Sequence, residues 1–240
     1  MKCKSVKVVV YTIVLLFSIQ TFGQDLRPEI KKIAKSMASG AQLEGRYIGI
    51  GGMPSNQYSK YKKLKKLATE KELLTLLQHE SSIVKGYSAW ALVDRKYTDL
   101  ESIFSTFLNT LETVQSQSGC VVSEDLLAWE LYSKVLYPSG KKMLTNKDKK
   151  YYIEQLQKLD HIILRKRAYS SLLRLALKNN QANPENYDII KTLALEDNHV
   201  EALTELAKYK NEQDIDAILE RGTDAFYAIS YFPNPKFWNF

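Results

Sequence analysis

Apolar residues recur along this 240-residue chain mostly at helical spacing. Leu26, Ile30, Ile33 and Met37 follow an i, i+4, i+7, i+11 rhythm and predict a first helix, which Asp25 can cap and whose first turn tolerates Pro28. Between positions 40 and 57 the rhythm breaks at Gly40, Gly45, Gly49, Gly51, Gly52 and Pro54, where Tyr47, Ile48 and Ile50 could form a short extended piece. Helical spacing resumes at Tyr58. Thr69-Glu70-Lys71-Glu72 reads as a capping box that starts a new helix at Glu70, and His79-Glu80-Ser81-Ser82 interrupts it. Further helices carry Ile83 to Leu92, and Leu100 to Leu111 after Asp99. Residues 115–122 read as a loop, with Ser123 capping the helix of Leu126, Leu127, Leu131 and Val135. Beyond the lysine-rich connector 141–150, one helix carries Tyr152, Leu156 and Leu159 and a separate one Ile163 through Leu175. Asn183-Pro184 opens the next, and the last pair spans His199–Tyr209 and Asp214–Glu220.

A longer interval overlies this pattern. Ser88, Ala128 and Ala168 are small residues 40 positions apart, each four residues before a large one, Leu92, Tyr132 and Leu172. Such an interval belongs to stacked helical pairs. Leu73-Leu74-Thr75-Leu76-Leu77 followed by Val84-Lys85-Gly86-Tyr87-Ser88-Ala89-Trp90-Ala91-Leu92 resembles a HEAT repeat, as do Leu164–Leu172 and Val200–Ala207 followed by Asp214–Leu219. The match spans roughly residues 69–220 and departs from the family at Gly86, Tyr87, Ser88 and Glu124. The resemblance implies an all-α fold, a right-handed solenoid of about five antiparallel helical pairs, and an interaction surface without catalytic residues.

The chain opens with Lys2, Lys4 and Lys7, an apolar run from Val8 to Ile19, and small Thr21 and Gly23 before Gln24. This reads as a signal peptide cleaved near Gly23, because the run is shorter than the roughly 20 residues that a span requires. Cys3 precedes the run and does not occupy a lipobox position. Three divisions follow: a leader at 1–23, an N-terminal helix with a Gly-rich loop at 24–57, and a helical repeat domain at 58–240 capped by its aromatic tail. The leader contains three lysines and no acid, so its loss takes the formal net charge from +7 to +4. That weak balance, with export, argues against a nucleic-acid partner. Cys120 is then the only cysteine and reads as a small buried hydrophobe.

Candidate chemistry is sparse. His79, His161 and His199 are not paired at ligand spacing, so no metal or other cofactor is implied. Gly49-Ile50-Gly51-Gly52-Met53-Pro54 lacks the third glycine and the Gly-Lys-Ser/Thr of phosphate loops. No Gly-x-Ser-x-Gly occurs, and Glu124-Asp125, Glu196-Asp197 and Asp214/Asp216 read as helix-terminal acids. The candidate binding residues are Tyr58, Tyr61, Lys62, Lys63, Lys65 and Lys66, a basic stretch with two aromatics; Lys141, Lys142, Lys147, Lys149 and Lys150 form a second cluster. Tyr231, Phe232 and Trp238 are expected to cover the last helices.

The expectation is therefore an exported, non-enzymatic repeat protein, periplasmic or secreted. It would act as a protein–protein scaffold in the cell envelope, monomeric or weakly oligomeric and not transmembrane after cleavage. Two alternatives stand beside it. A carboxylate-dependent envelope hydrolase requires a deep pocket holding two acids. A structural factor held on an envelope polymer by its lysines requires strongly salt-dependent binding.

Overall fold

The computed structural model describes residues 26–138 and 144–236. The leader, Lys141 and Lys142, and Trp238 lie outside the described residues. Twelve α-helices are joined there by a four-stranded sheet. The N-terminal part runs α1 (Pro28–Ala38), β1 (Leu43–Ile48), β2 (Met53–Pro54), α2 (Asn56–Leu67), α3 (Glu70–Leu76), α4 (Ser82–Asp94) and α5 (Leu100–Thr110). A hairpin of β3 (Thr113–Gly119) and β4 (Val121–Leu126) follows, then α6 (Leu127–Leu136) and α7 (Asn146–Lys166). The chain ends with α8 (Ser170–Asn180), α9 (Tyr187–Leu195), α10 (Val200–Lys208), α11 (Ile215–Leu219) and α12 (Ala225–Ile229).

The sheet overturns the all-α expectation and the solenoid built on it. Its strand order is β2-β1-β3-β4, and β1 and β3 are parallel. The loop expected at 115–122 is an antiparallel hairpin paired from Thr113↔Leu126 to Ser118↔Val121. Ser123 is in a strand, and the following helix begins after Leu126. Gly119, at φ +57°, opens the two-residue turn, a conformation in which glycine costs least. Cys120 completes that turn and is exposed, contrary to the buried hydrophobe expected. The extended piece near Tyr47 and Ile48 is β1, and Gly49 and Gly52 turn with positive φ toward β2.

Elsewhere the helices fold as their patterns dictate. The Thr69 capping box is present, Asp99 caps α5 through the Ser102 N–H, and Pro28 takes the first position of α1. The residue preceding α1 is Arg27, whose side chain makes no capping hydrogen bond, and Asp25 lies outside the described residues. Residues 146–166 form one helix instead of two. It ends where Arg167 turns left-handed at φ +50°, so Ala168 stands between α7 and α8 and the 40-residue interval does not mark a helix crossing there. Along the chain, helices pack on their neighbour and on the next but one, as in α4 on α5 and α6, and α10 on α8, α9 and α12. Phe232 is buried at the C-terminal end, whereas Phe226, Tyr227 and Tyr231 are exposed.

The sheet is seated on α4. Leu43 is buried against Gly86, where an added Cβ would stand 3.2 Å from both Leu43 methyl carbons. The Tyr87 hydroxyl donates to Glu44 O at 2.9 Å and accepts from Glu44 N at 2.7 Å. The Ser88 hydroxyl bonds back to Val84 O, which satisfies its buried oxygen within the helix. Three departures from the repeat pattern thus accommodate or fasten the helix that carries the sheet.

Candidate functional site

A cleft of about 500 Å³ opens where the sheet meets the helices. Leu43, Gly45 and Arg46 of β1, and Ser116, Gln117 and Ser118 of β3, form one wall. Ser123 and Asp125 of β4 extend it. The facing helices supply Tyr58, Trp90, Trp129, Glu130, Ser133, Lys134 and Tyr137. None of the three histidines lines it, and no metal-ligand cluster of His, Cys, Asp or Glu occurs among the described residues.

Two carboxyl groups, those of Asp125 and Glu130, line this cleft. Asp125 Oδ2 accepts from Ser123 Oγ at 2.5 Å and from Ser116 Oγ at 3.1 Å. Glu130 is buried, and burial pushes its pKa to about 7; the nearby Ser116 hydroxyl opposes this rise and the Asp125 charge adds to it.

A cationic cluster closes the inner end. Asp94 Oδ1 pairs with Lys134 Nζ and Asp94 Oδ2 with Lys65 Nζ, each at 2.9 Å, and the Tyr61 hydroxyl donates to Asp94 Oδ2 at 2.5 Å. Burial opposes the Asp94 charge, but Lys134 and the bonds from Lys65 and Tyr61 outweigh it, and its pKa lies below the ordinary value. Burial is also the larger influence on Lys134 and lowers its pKa against the pull of Asp94. Lys134 lies 5.5 Å from the Trp90 ring centre and 5.7 Å from that of Tyr61, a cation–π arrangement with both. Trp90 donates Nε1–H to Glu130 O at 3.2 Å.

The structure divides the sequence-derived binding residues. Tyr58 lines the cleft. Tyr61 is buried in the core, stacked on Tyr87 at 5.4 Å, and has no face for a ligand. Lys65 is committed to Asp94. Lys62, Lys63 and Lys66 are exposed on α2 and line none of the depressions described here. Lys147, Lys149 and Lys150 of the second cluster lie in the first turns of α7. Sequence reasoning missed Glu130, Ser116, Trp129 and Lys134. Glu130 offered one signal, an acid on the apolar stripe of Leu127, Leu131 and Val135.

The cleft is the first of three adjoining depressions. Asp125 and Trp129 also line a second, of about 220 Å³, with Thr113, Glu124, Leu126, Tyr169 and Leu172. Leu126 and Tyr169 pass on to a third, of about 390 Å³, with Leu108, Asn109, Leu111 and Lys166. Exposed apolar side chains mark its course: Tyr137 (65% exposed) at one end, Tyr169 (61%) midway and Leu111 (58%) at the other.

Comparison with known protein families, with curated proteins and with solved structures finds no match to this chain.

Proposed function

We propose that this is an exported, non-enzymatic binding protein that engages another protein of the cell envelope. The observation that carries the reading is the line of three depressions that share Asp125 and Trp129, then Leu126 and Tyr169, and are edged by exposed Tyr137, Tyr169 and Leu111. An elongated groove that mixes exposed aromatic and apolar side chains with many hydrogen-bonding groups suits an extended macromolecular ligand better than a compact small molecule. Export rests on the leader alone, and the resemblance to HEAT repeats adds only the order in which the helices pack. No described helix is long and apolar enough to cross a membrane.

A photo-crosslinking residue at Tyr137 or Tyr169 tests this reading. In the native envelope both positions should yield the same crosslinked protein, and a control at Phe226, exposed at the C-terminal end, should not. Crosslinks equal at all three positions, or none from the groove, would remove the proposal.

One observation favours a second reading, hydrolysis by a carboxylate pair. Glu130, with a pKa of about 7, can act as an acid beside the Asp125 carboxylate. Turnover of a glycan or peptide from the envelope that is lost in Glu130→Gln and retained in Tyr137→Ala would support it, and an inactive wild-type protein would end it.

A further inference from the structure

We infer that β4 is a docking edge that takes an extended segment of the partner protein as a fifth strand; this rests on the binding reading and names its mode. β4 is last in the sheet order β2-β1-β3-β4, and no described strand pairs with its outer side. The bonding frame follows from the hairpin. Leu127 N donates to Glu112 O at 2.9 Å, in register with the β3–β4 ladder. Bonded and non-bonded pairs alternate in an antiparallel ladder, so Asp125, Ser123 and Val121 bond inward to β3. Val122 and Glu124 therefore aim their N–H and C=O groups outward, as a template for another backbone.

The side chains and surroundings fit an arriving strand. Val121 is 67% exposed and Val122 56% exposed, an apolar pair at the start of β4. Toward its other end the strand leads into the depression between Trp129 and Tyr169, which can take an apolar side chain of the newcomer. Glu124 and Asp125 make this end acidic, and the Glu130 carboxyl lies beside Asp125 in the cleft. A segment that is apolar where it meets Val121 and Val122 and cationic where it meets Glu124 and Asp125 complements that pattern. A second copy does not, because its own β4, Val121–Leu126, has no cationic residue to place opposite Glu124 and Asp125.

The test uses the mature protein and a capped octapeptide of four lysines followed by four valines, the order that runs antiparallel to β4. Backbone amide shifts are read during titration to millimolar peptide. Saturable shifts are expected at Val122 and Glu124, larger than those at Ser123 and Asp125. The valine–glutamate counterpart should bind at least tenfold more weakly. Methylating the peptide's amide nitrogens on the edge that faces β4 should weaken binding at least tenfold, and methylating the opposite edge should not. Val122→Pro removes one outward N–H without removing a ladder bond, and should abolish the shifts at an unchanged melting temperature. Absence of binding, equal binding of the two peptides, or indifference to which edge is methylated would overturn the inference. A dimer that Val122→Pro dissolves would also overturn it, in favour of a second copy. Groove crosslinks that persist unchanged in Val122→Pro would leave the binding reading standing and remove strand addition alone.

Discussion

The hydroxyl of Tyr87 both donates to and accepts from the backbone of Glu44, so a single side chain on α4 satisfies both main-chain polar groups of one residue in β1. Tyr87→Phe keeps the ring, its stacking on Tyr61 and the buried volume, but leaves the N–H and C=O of Glu44 without these partners. A loss of about 2 kcal/mol is expected, which urea denaturation would measure. Amide exchange should rise in β1 before it rises in α10.

Gly40 makes room for a buried glutamine. An added Cβ would stand 1.6 Å from Gln57 Nε2, which donates to Met37 O at 2.9 Å. Gly40→Ala should expel the amide and break that bond, lowering stability by about 1 kcal/mol. In Gly40→Ala combined with Gln57→Ala, the second substitution should cost much less than it does alone, as a double-mutant cycle would show.

Asp94 neutralises buried Lys134. Asp94→Ala removes that counter-charge, and a loss of about 3 kcal/mol is expected in thermal or urea unfolding. Lys65 is more exposed than Lys134 and can turn to water. Adding Lys134→Met to Asp94→Ala should therefore restore part of the loss, and adding Lys65→Met should not.

Glu130 and Asp160 give the fold a pH dependence of defined sign. Burial raises each to about 7, Glu130 from 4.5 and Asp160 from 3.8, although Tyr132 bonds Asp160 at 2.6 Å. The folded chain holds these protons more tightly than the unfolded chain does. Their stabilising contribution is thus complete below the unfolded values and disappears as the pH rises through 7. For Glu130 the interval amounts to about 3 kcal/mol. Wild-type stability should fall between pH 5 and pH 8 by more than that of Glu130→Gln, and Asp160→Asn should flatten the profile further.

The helices were legible in the sequence because their apolar residues return every three or four positions and their capping residues are local. The sheet was not. Thr113-Val114-Gln115-Ser116-Gln117-Ser118 buries only Val114, so the alternation that marks a half-buried strand is missing. The pairing of β1 with β3 joins residues distant in the chain, such as Leu43 and Ser116, and no local pattern records it. The cleft was unreadable for the same reason. Asp125, Ser116 and Glu130 come from three elements, and only the hairpin brings the first two within hydrogen-bonding distance. The Gly86-Tyr87-Ser88 departure from the repeat was visible in the sequence, but its meaning depended on β1 lying above it.

The parallel match of β1 with β3 also sets an order of assembly. As the chain leaves the ribosome, β1 precedes its partner by α2 to α5, and the sheet cannot close until Gly119 has emerged. Until then Leu43 can already rest on Gly86 of α4, but the edge of β1 that will pair with β3 stays open, an interval in which a holding chaperone would find an unpaired strand. The groove is consequently among the last features to mature, and a nascent chain stopped at Thr110 should be unable to recruit a partner.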